Sequence, residues 1–213
     1  MTTSTTQNDI EKIKIAILGS CGVGKTCITS RYIKNEYKQE TKSTDGANYQ
    51  QKIFTRGNKT VQLDLWDTAG QEKYRSIGKH FYKDAYIIIF VYDITVKQSF
   101  QAIKDIWYDD IKKFGEKYSV LAVVGNKSDL YEKEEVEESE ARAYAKEIKA
   151  TFMNVSAQNG SNIDNLFENV VRVYYGEEFQ PKVQEMIREK RESLAGNMKL
   201  KKEKTKKEKS CGC

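Results

Sequence analysis

Residues Gly19 to Thr26 read GSCGVGKT, directly after the apolar run Ile13–Leu18 and at the head of a helix-compatible stretch, Lys25–Ile33. A strand that runs into a glycine-rich turn and then a helix leaves few folds open. In the pattern G-x-x-x-x-G-K-[ST] the glycines let backbone N–H groups turn inward around a phosphate. The main chain of Gly19, Ser20, Gly22, Val23, Gly24 and Cys27 supplies that cradle. Lys25 adds a point charge for the β- and γ-phosphates, and the Thr26 hydroxyl suits a Mg²⁺ ligand.

Around this turn, short apolar runs alternate with helix-period segments. The spacing predicts strands at Lys12–Leu18, Tyr49–Thr55, Thr60–Asp67, Tyr86–Tyr92, Val120–Asn126 and Phe152–Ser156. Arg56-Gly57-Asn58-Lys59 is a hairpin signal, so the second and third strands should be antiparallel. Helices are expected at Lys25–Ile33, Ser99–Phe114, Ser139–Lys149 and Ile163–Tyr175, with Ser139 and Asn162 as caps. Phe100, Ile103, Ile106, Trp107 and Ile111 recur at helical spacing and read as core. The alternation implies an α/β fold: a six-stranded, mostly parallel sheet with one antiparallel strand and helices on both faces. Ligands of such sheets lie beyond the carboxyl ends of the strands, where the phosphate turn falls.

Charge sharpens the picture. The 213 residues carry a formal +5, yet Asn197–Cys213 alone holds seven lysines and two glutamates. The excess therefore sits on a basic arm, and the balanced body argues against a nucleic-acid partner. Cysteines fall at Cys21, Cys27, Cys211 and Cys213, a spread that fits neither a disulfide scaffold nor a zinc site and points to a reducing, cytosolic setting. The polar start, MTTSTTQNDIEK, has no apolar signal segment, and the longest apolar run, Tyr86–Tyr92, is too short to span a bilayer.

Two further motifs narrow the chemistry. In DLWDTAGQE, Asp64 to Glu72, Asp67 ends a strand and suits Mg²⁺ held through water. Gly70 permits close approach to a γ-phosphate, and Gln71 suits orientation of an attacking water. Alone this leaves a surface turn as a minority reading; about 40 residues beyond a phosphate loop it does not. Asn126-Lys127-Ser128-Asp129 closes the apolar strand that begins at Val120. Guanine offers N1–H and an N2 amine on one edge, and the Asp129 carboxylate accepts from both while the Lys127 stem lies along the ring. Adenine would leave that carboxylate unpaired, which supports rejection by roughly 10⁴-fold. Ser156-Ala157-Gln158 would bring a backbone N–H near guanine O6 and brace Asp129.

GSCGVGKT, Thr44, DTAGQE, NKSD and SAQ, in this order, resemble the Ras superfamily of small GTPases. LDLWDTAGQE, KYRSI at Lys73–Ile77, FYKDA at Phe81–Ala85, VYDIT at Val91–Thr95 and Cys211-Gly212-Cys213 narrow the resemblance to the Rab family. The resemblance implies a P-loop NTPase small G domain over residues 12–176, between a flexible N-terminus (1–11) and a hypervariable basic tail with a prenylation motif (177–213). It implies GTP/GDP as ligand, Mg²⁺ held by Thr26, Thr44 and Asp67, Tyr37 against the guanine, and Gln71, Lys25 and Gly70 in catalysis. By the same likeness Tyr49, Trp66 and Phe81 form an aromatic triad read by effectors. The expected partners are an exchange factor, a GTPase-activating protein, a GDP-dissociation inhibitor, a Rab escort protein and effectors of a monomeric switch. It would cycle between the cytosol and the cytoplasmic face of a vesicle or organelle membrane. Without an arginine placed in cis, intrinsic hydrolysis should be on the order of 10⁻⁴ to 10⁻² s⁻¹. The chain departs from Rab pattern at Asp45, where an isoleucine is usual on the effector surface, at Gln158, where lysine is usual, and at Cys21. The alternative class is a nucleotide-locked scaffold that does not hydrolyse usefully.

Two lipid chains, or one with a basic arm, anchor stably, and each lysine near an anionic surface adds about 1 kcal/mol. The ending is not C-a-a-X. Mass spectrometry of the peptide carrying Cys211 and Cys213, isolated from cells, is expected to show a geranylgeranyl group on each; an unmodified peptide would remove the membrane anchor.

Overall fold

The computed structural model describes residues 10–38, 44, 46–70, 81–114 and 119–176. In chain order these form β1 (Glu11–Leu18), α1 (Lys25–Lys34), β2 (Ala47–Arg56), β3 (Lys59–Thr68), β4 (Ile87–Asp93) and α2 (Lys97–Ala102). A π-helical turn (Ile103–Trp107) then leads to α3 (Tyr108–Phe114), β5 (Val120–Asn126) and a 3-10 segment (Ser128–Lys133). The chain continues through α4 (Glu138–Glu147), β6 (Thr151–Asn154) and α5 (Ile163–Tyr174). The strands make one sheet in the order β2-β3-β1-β4-β5-β6.

Pairing is parallel except for β2, which runs antiparallel to β3 from Ala47↔Thr68 to Arg56↔Lys59. The hairpin expected from Arg56 to Lys59 is present, with Gly57 at φ 56 turning the chain. All seven residues of β4 are buried, which is why the run up to Tyr92 reads as unbroken and apolar: a central parallel strand is covered on both faces. Ala16, Leu18, Ile88, Phe90 and Tyr92 join Phe100, Ile103, Trp107, Ile111, Ala141 and Ala145 in a core beneath α2, the π turn, α3 and α4. The alternate residues Ile15, Ile17, Ile87 and Ile89 are equally buried on the opposite face. There Tyr32 of α1 stacks on Phe167 of α5 with ring centroids 3.8 Å apart.

Several boundaries differ from those expected. The helix expected from Ser99 begins at Lys97 and is interrupted by the π turn, with Ile103 and Trp107 both buried. Ser99 instead anchors the end of β4: its Oγ accepts from Asp93 N–H (3.0 Å) and donates to Val96 O (2.6 Å). Ser139 is not the cap of α4. That position belongs to Glu137, with no side-chain cap bond, and Ser139 Oγ donates to the Glu137 carboxylate (3.2 Å). Asn162 adopts a left-handed conformation (φ 58) before α5, and its amide donates to Asn154 O (3.0 Å). β6 stops at Asn154, so Ser156 lies in the following loop, where its N–H bonds Ser161 O (3.0 Å).

The chain divides into two compact units, 1–170 and 171–213. In the second the described residues are 171–176, closed by Tyr175 N–H to Val171 O and Gly176 N–H to Val173 O (both 3.0 Å). Phe90, fully buried, should lose about 3–5 kcal/mol on Phe90→Ala. Ile53, 53% exposed on β2, should change stability by no more than about 0.5 kcal/mol on Ile53→Ala. Urea unfolding read by circular dichroism checks both, with a lowered midpoint at unchanged slope expected for Phe90→Ala.

Candidate nucleotide-binding site

β1 lies between β3 and β4, so the chain turns to opposite sides of the sheet at the carboxyl end of β1, and a crevice opens there. The phosphate turn fills that end. A cavity of about 710 Å³ is lined by Cys21, Gly22, Gly24, Lys25, Thr26, Cys27, Tyr37, Thr44, Thr68, Gly70, Asn126, Lys127, Asp129, Leu130, Ala157 and Gln158. Most residues nominated from sequence thus share one cavity. Gly19, Ser20, Val23, Asp67 and Ser156 are not among the lining residues, while Cys21, Thr68 and Leu130 belong to the lining without having been nominated. Gln71, Asp45, Cys211 and Cys213 lie outside the described residues.

Lys25 is 6% exposed, and its ammonium donates to Gly19 O (2.8 Å) and Ser20 O (3.0 Å). Burial pulls its pKa down to about 8, against the opposing pull of Asp67. Thr26 Oγ1 donates to Asp67 Oδ2 (2.7 Å) and lies 3.0 Å from Thr44 Oγ1. The second carboxylate oxygen, Asp67 Oδ1, is buried with no hydrogen-bond partner. Burial raises the Asp67 pKa, while the Thr26 hydrogen bond and the Lys25 charge oppose that rise. Two hydroxyls and an orphaned carboxylate oxygen form a hard-oxygen donor set that fits Mg²⁺.

Two glycines are required by close approach. A Cβ on Gly24 (φ 94) would lie 2.3 Å from Asn126 Nδ2, and one on Gly70 would lie 2.5 Å from Cys21 N and Ser20 C. The absent side chain at Gly70 therefore admits the backbone of the phosphate loop itself.

The other motif residues are cross-tied. Asn126 Nδ2 donates to Val23 O (2.8 Å) and Asn126 Oδ1 accepts from Ala157 N–H (3.1 Å), so this side chain joins the phosphate loop to the SAQ loop. Ser156 Oγ donates to the Asp129 carboxylate, the brace expected from sequence. Lys127, left-handed at φ 66, has its ammonium 2.5 Å from Asp93 Oδ2. Asp93 Oδ1 in turn accepts from the Thr95 N–H (2.9 Å) and hydroxyl (2.7 Å). Sequence reasoning noted VYDIT but assigned Asp93 no part in the site; its signal was a carboxylate ending an otherwise apolar strand. Arg31 was also missed. Its Nε donates to Ala157 O (2.9 Å) and Nη2 to Gln158 O (2.6 Å).

Away from the cavity, the antiparallel register sets Tyr49 opposite Trp66, with centroids 5.2 Å apart, and Phe81 lies 5.8 Å beyond Trp66. Tyr49 is 48% exposed and its hydroxyl donates to Asp64 Oδ1 (2.8 Å). The three aromatic residues nominated for effectors are thus one contiguous patch.

A phosphate turn, a hard-oxygen metal set and a carboxylate-bearing pocket at one edge of a parallel sheet define a nucleotide-binding α/β domain. Residues 14–175 match the Ras family. The chain is 37% identical to Ras-related protein Rab-11C of Dictyostelium discoideum, over 76% of this chain and 72% of that one. It is 36% identical to Ras-related protein Rab-31 of Homo sapiens, over 76% and 83%. With putative Ras-related protein Rab-5B of Dictyostelium discoideum identity is 39%, over 80% and 79%. The chain belongs to the Ras family, and within it to the Rab-type small GTPases of vesicle traffic. Proteins of this family bind GTP and GDP with Mg²⁺ and work through regulators and effectors.

Removing the tie between the loops tests its weight. Asn126→Ala leaves Val23 O and Ala157 N–H without their partner in a buried setting and should cost about 1–3 kcal/mol of stability. Thermal unfolding measured with and without added GDP is expected to show both a lower baseline and a smaller GDP-induced rise than in the unsubstituted protein.

Proposed function

We propose that the chain is a GTP-driven switch that recruits effectors to a vesicle or organelle membrane. Residues 12–176 serve as its nucleotide-binding domain and 177–213 as a basic tail lipidated at Cys211 and Cys213. The observation that carries the reading is the meeting, on one cavity, of Lys25, Thr26 and Thr44 with Tyr37, Lys127 and Asp129.

In this reading the amides of the loop from Gly19 to Cys27 and the Lys25 ammonium hold the β- and γ-phosphates. Thr26 and Thr44, with Asp67 through water, would hold Mg²⁺. When bound, that ion neutralises charge developing on the phosphate oxygens. Gln71 would orient a water whose oxygen bonds the γ-phosphorus as the bond to the bridging β–γ oxygen breaks; GDP keeps that oxygen, the proton lost by the water stays with the released phosphate, and the Gly70 amide would meet the γ-phosphate. Lys25 and the loop amides are fixed before reaction and need no reorganisation. An activating protein supplies an arginine, since among the described residues no arginine lines the cavity; the unassisted rate is then slow. Asp129 accepts from guanine N1–H and N2, Tyr37 packs on the ring, and the Ser156-Ala157-Gln158 backbone donates to O6. Gain and loss of the γ-phosphate order and release the segments at Thr44 and Gly70, which is what effectors read together with Tyr49, Trp66 and Phe81. Asp45, an acid where Rab proteins usually carry an isoleucine, changes which effectors and dissociation inhibitors bind. No described helix is long and apolar enough to cross a membrane.

Titration of the purified protein with nucleotides tests the assignment. GDP and GTP should bind, ADP and ATP should fail to compete by roughly 10⁴-fold, and EDTA should speed release. Asp129→Asn should move the preference to xanthosine phosphates, since an amide donates to the xanthine C2 carbonyl and still accepts from N1–H. Adenosine phosphates binding as well as guanosine phosphates, or a variant that keeps the guanosine preference, would overturn the pocket assignment.

A further inference from the structure

We propose that Arg31 is a positioning residue for guanine: its guanidinium joins the two walls of the base pocket and aims the main-chain amide that meets O6. The inference rests on the reading of the pocket as a guanine site.

Arg31 stands in the last turn of α1, outside the cavity lining. Its three nitrogens go to different acceptors. Nε donates to Ala157 O (2.9 Å) and Nη2 to Gln158 O (2.6 Å), while Nη1 donates to Asn35 O (2.9 Å) and Asn35 Oδ1 (3.2 Å). One planar fork therefore spans the SAQ loop on one side and the C-cap of α1 on the other. Asn35 holds a left-handed conformation (φ 54), and the chain leaving it reaches Tyr37 two residues later, on the cavity wall. The stem is in place as well: a Cβ on Gly160 would sit 3.8 Å from Arg31 Cδ.

The geometry of the peptide unit gives these bonds a consequence for the base. Ala157 C=O and Gln158 N–H belong to one planar trans peptide, so they point in opposite directions. Fixing the carbonyl on Arg31, outside the cavity, turns the Gln158 N–H toward the cavity that Gln158 lines. The preceding amide, Ala157 N–H, already donates to Asn126 Oδ1 (3.1 Å). Arg31 thus acts on the O6 edge of the base, while Asp129, held by Ser156, acts on the N1 and N2 edge. A lysine at position 31 keeps the charge but has one nitrogen and no fork, so it holds one wall at most.

The test compares the unsubstituted protein with R31K on three ligands: GDP, 6-thio-GDP, whose sulfur is a weak acceptor in place of O6, and IDP, which lacks the N2 amine. R31K should weaken GDP by about tenfold, mainly through faster dissociation, as loss of hydrogen bonds from a charged donor implies. The penalty for GDP against 6-thio-GDP should shrink in R31K by about the same factor. The penalty for GDP against IDP should stay unchanged. Equal weakening of all three ligands, or none, overturns the proposal and leaves Arg31 a structural residue. A second measurement needs no variant: nuclear magnetic resonance of the GDP-bound protein should detect scalar coupling from Arg31 Nε to the Ala157 carbonyl carbon, and its absence is equally fatal. If the unsubstituted protein fails to prefer GDP over ADP, the guanine reading itself falls, and this inference with it.

Discussion

A lysine ammonium buried against two main-chain carbonyls is the constraint on which the site depends. Lys25 is almost sealed from solvent, and its hydrogen bonds go to Gly19 O and Ser20 O at the start of its own loop. Burial alone disfavours the charge and draws the ammonium down to about 8. The loop therefore curls around a cation whose charged form gains most from a polyanion beside it. The loop has no room for side chains at its close approaches: a Cβ at position 24 would strike Asn126, and one at position 70 would strike the loop backbone.

Parallel pairing then collects the remaining chemistry. β1, β3, β4 and β5 run in one direction, so Asp67, Asp93 and Asn126 all arrive at the same edge of the sheet. Side chains lock the loops there into one frame: Asn126 between Val23 and Ala157, Thr68 on Ile17 O (2.8 Å), Lys127 on Asp93, Ser156 on Asp129 and Arg31 on Ala157 and Gln158. Residues suited to a phosphate and residues suited to a base are thereby held at a fixed separation. The antiparallel β2 sits at the outer edge and sets Tyr49 beside Trp66, so the proposed effector surface begins on the strand pair whose inner member carries Asp67 and ends at Thr68.

Much of this was legible in the chain. Buried parallel strands announce themselves as unbroken apolar runs, and Val120–Asn126 was placed to the residue. The stripe from Phe100 to Ile111 is core as expected, with Ile106 partly buried against it. Ser139 has the right chemistry for a cap, but the chain enters α4 two residues earlier, at Glu137, because Glu140 and Ala141 N–H groups both bond Glu137 O (3.0 and 3.2 Å). The π turn at Ile103–Trp107 leaves the apolar spacing almost unaltered, so periodicity does not reveal it. Arg31 stands in no local pattern that sets it apart from surface residues, and the signal at Asp93, a carboxylate closing an apolar strand, does not say which residue it meets.

The sequence by itself determined the phosphate turn, the hydroxyls proposed for the metal, the carboxylate proposed to read the base and the kind of sheet that carries them. Each of those is a local matter: a residue type at a spacing that one turn or one strand end imposes. Only the tertiary structure decided that Asn126 ties the phosphate loop to the SAQ loop, that Asp93 neutralises Lys127 and that Arg31 bridges Asn35 to Gln158. Those bonds join residues up to 127 positions apart, and a separation of that size becomes a distance of three ångströms only once the strands have paired and set their ends side by side.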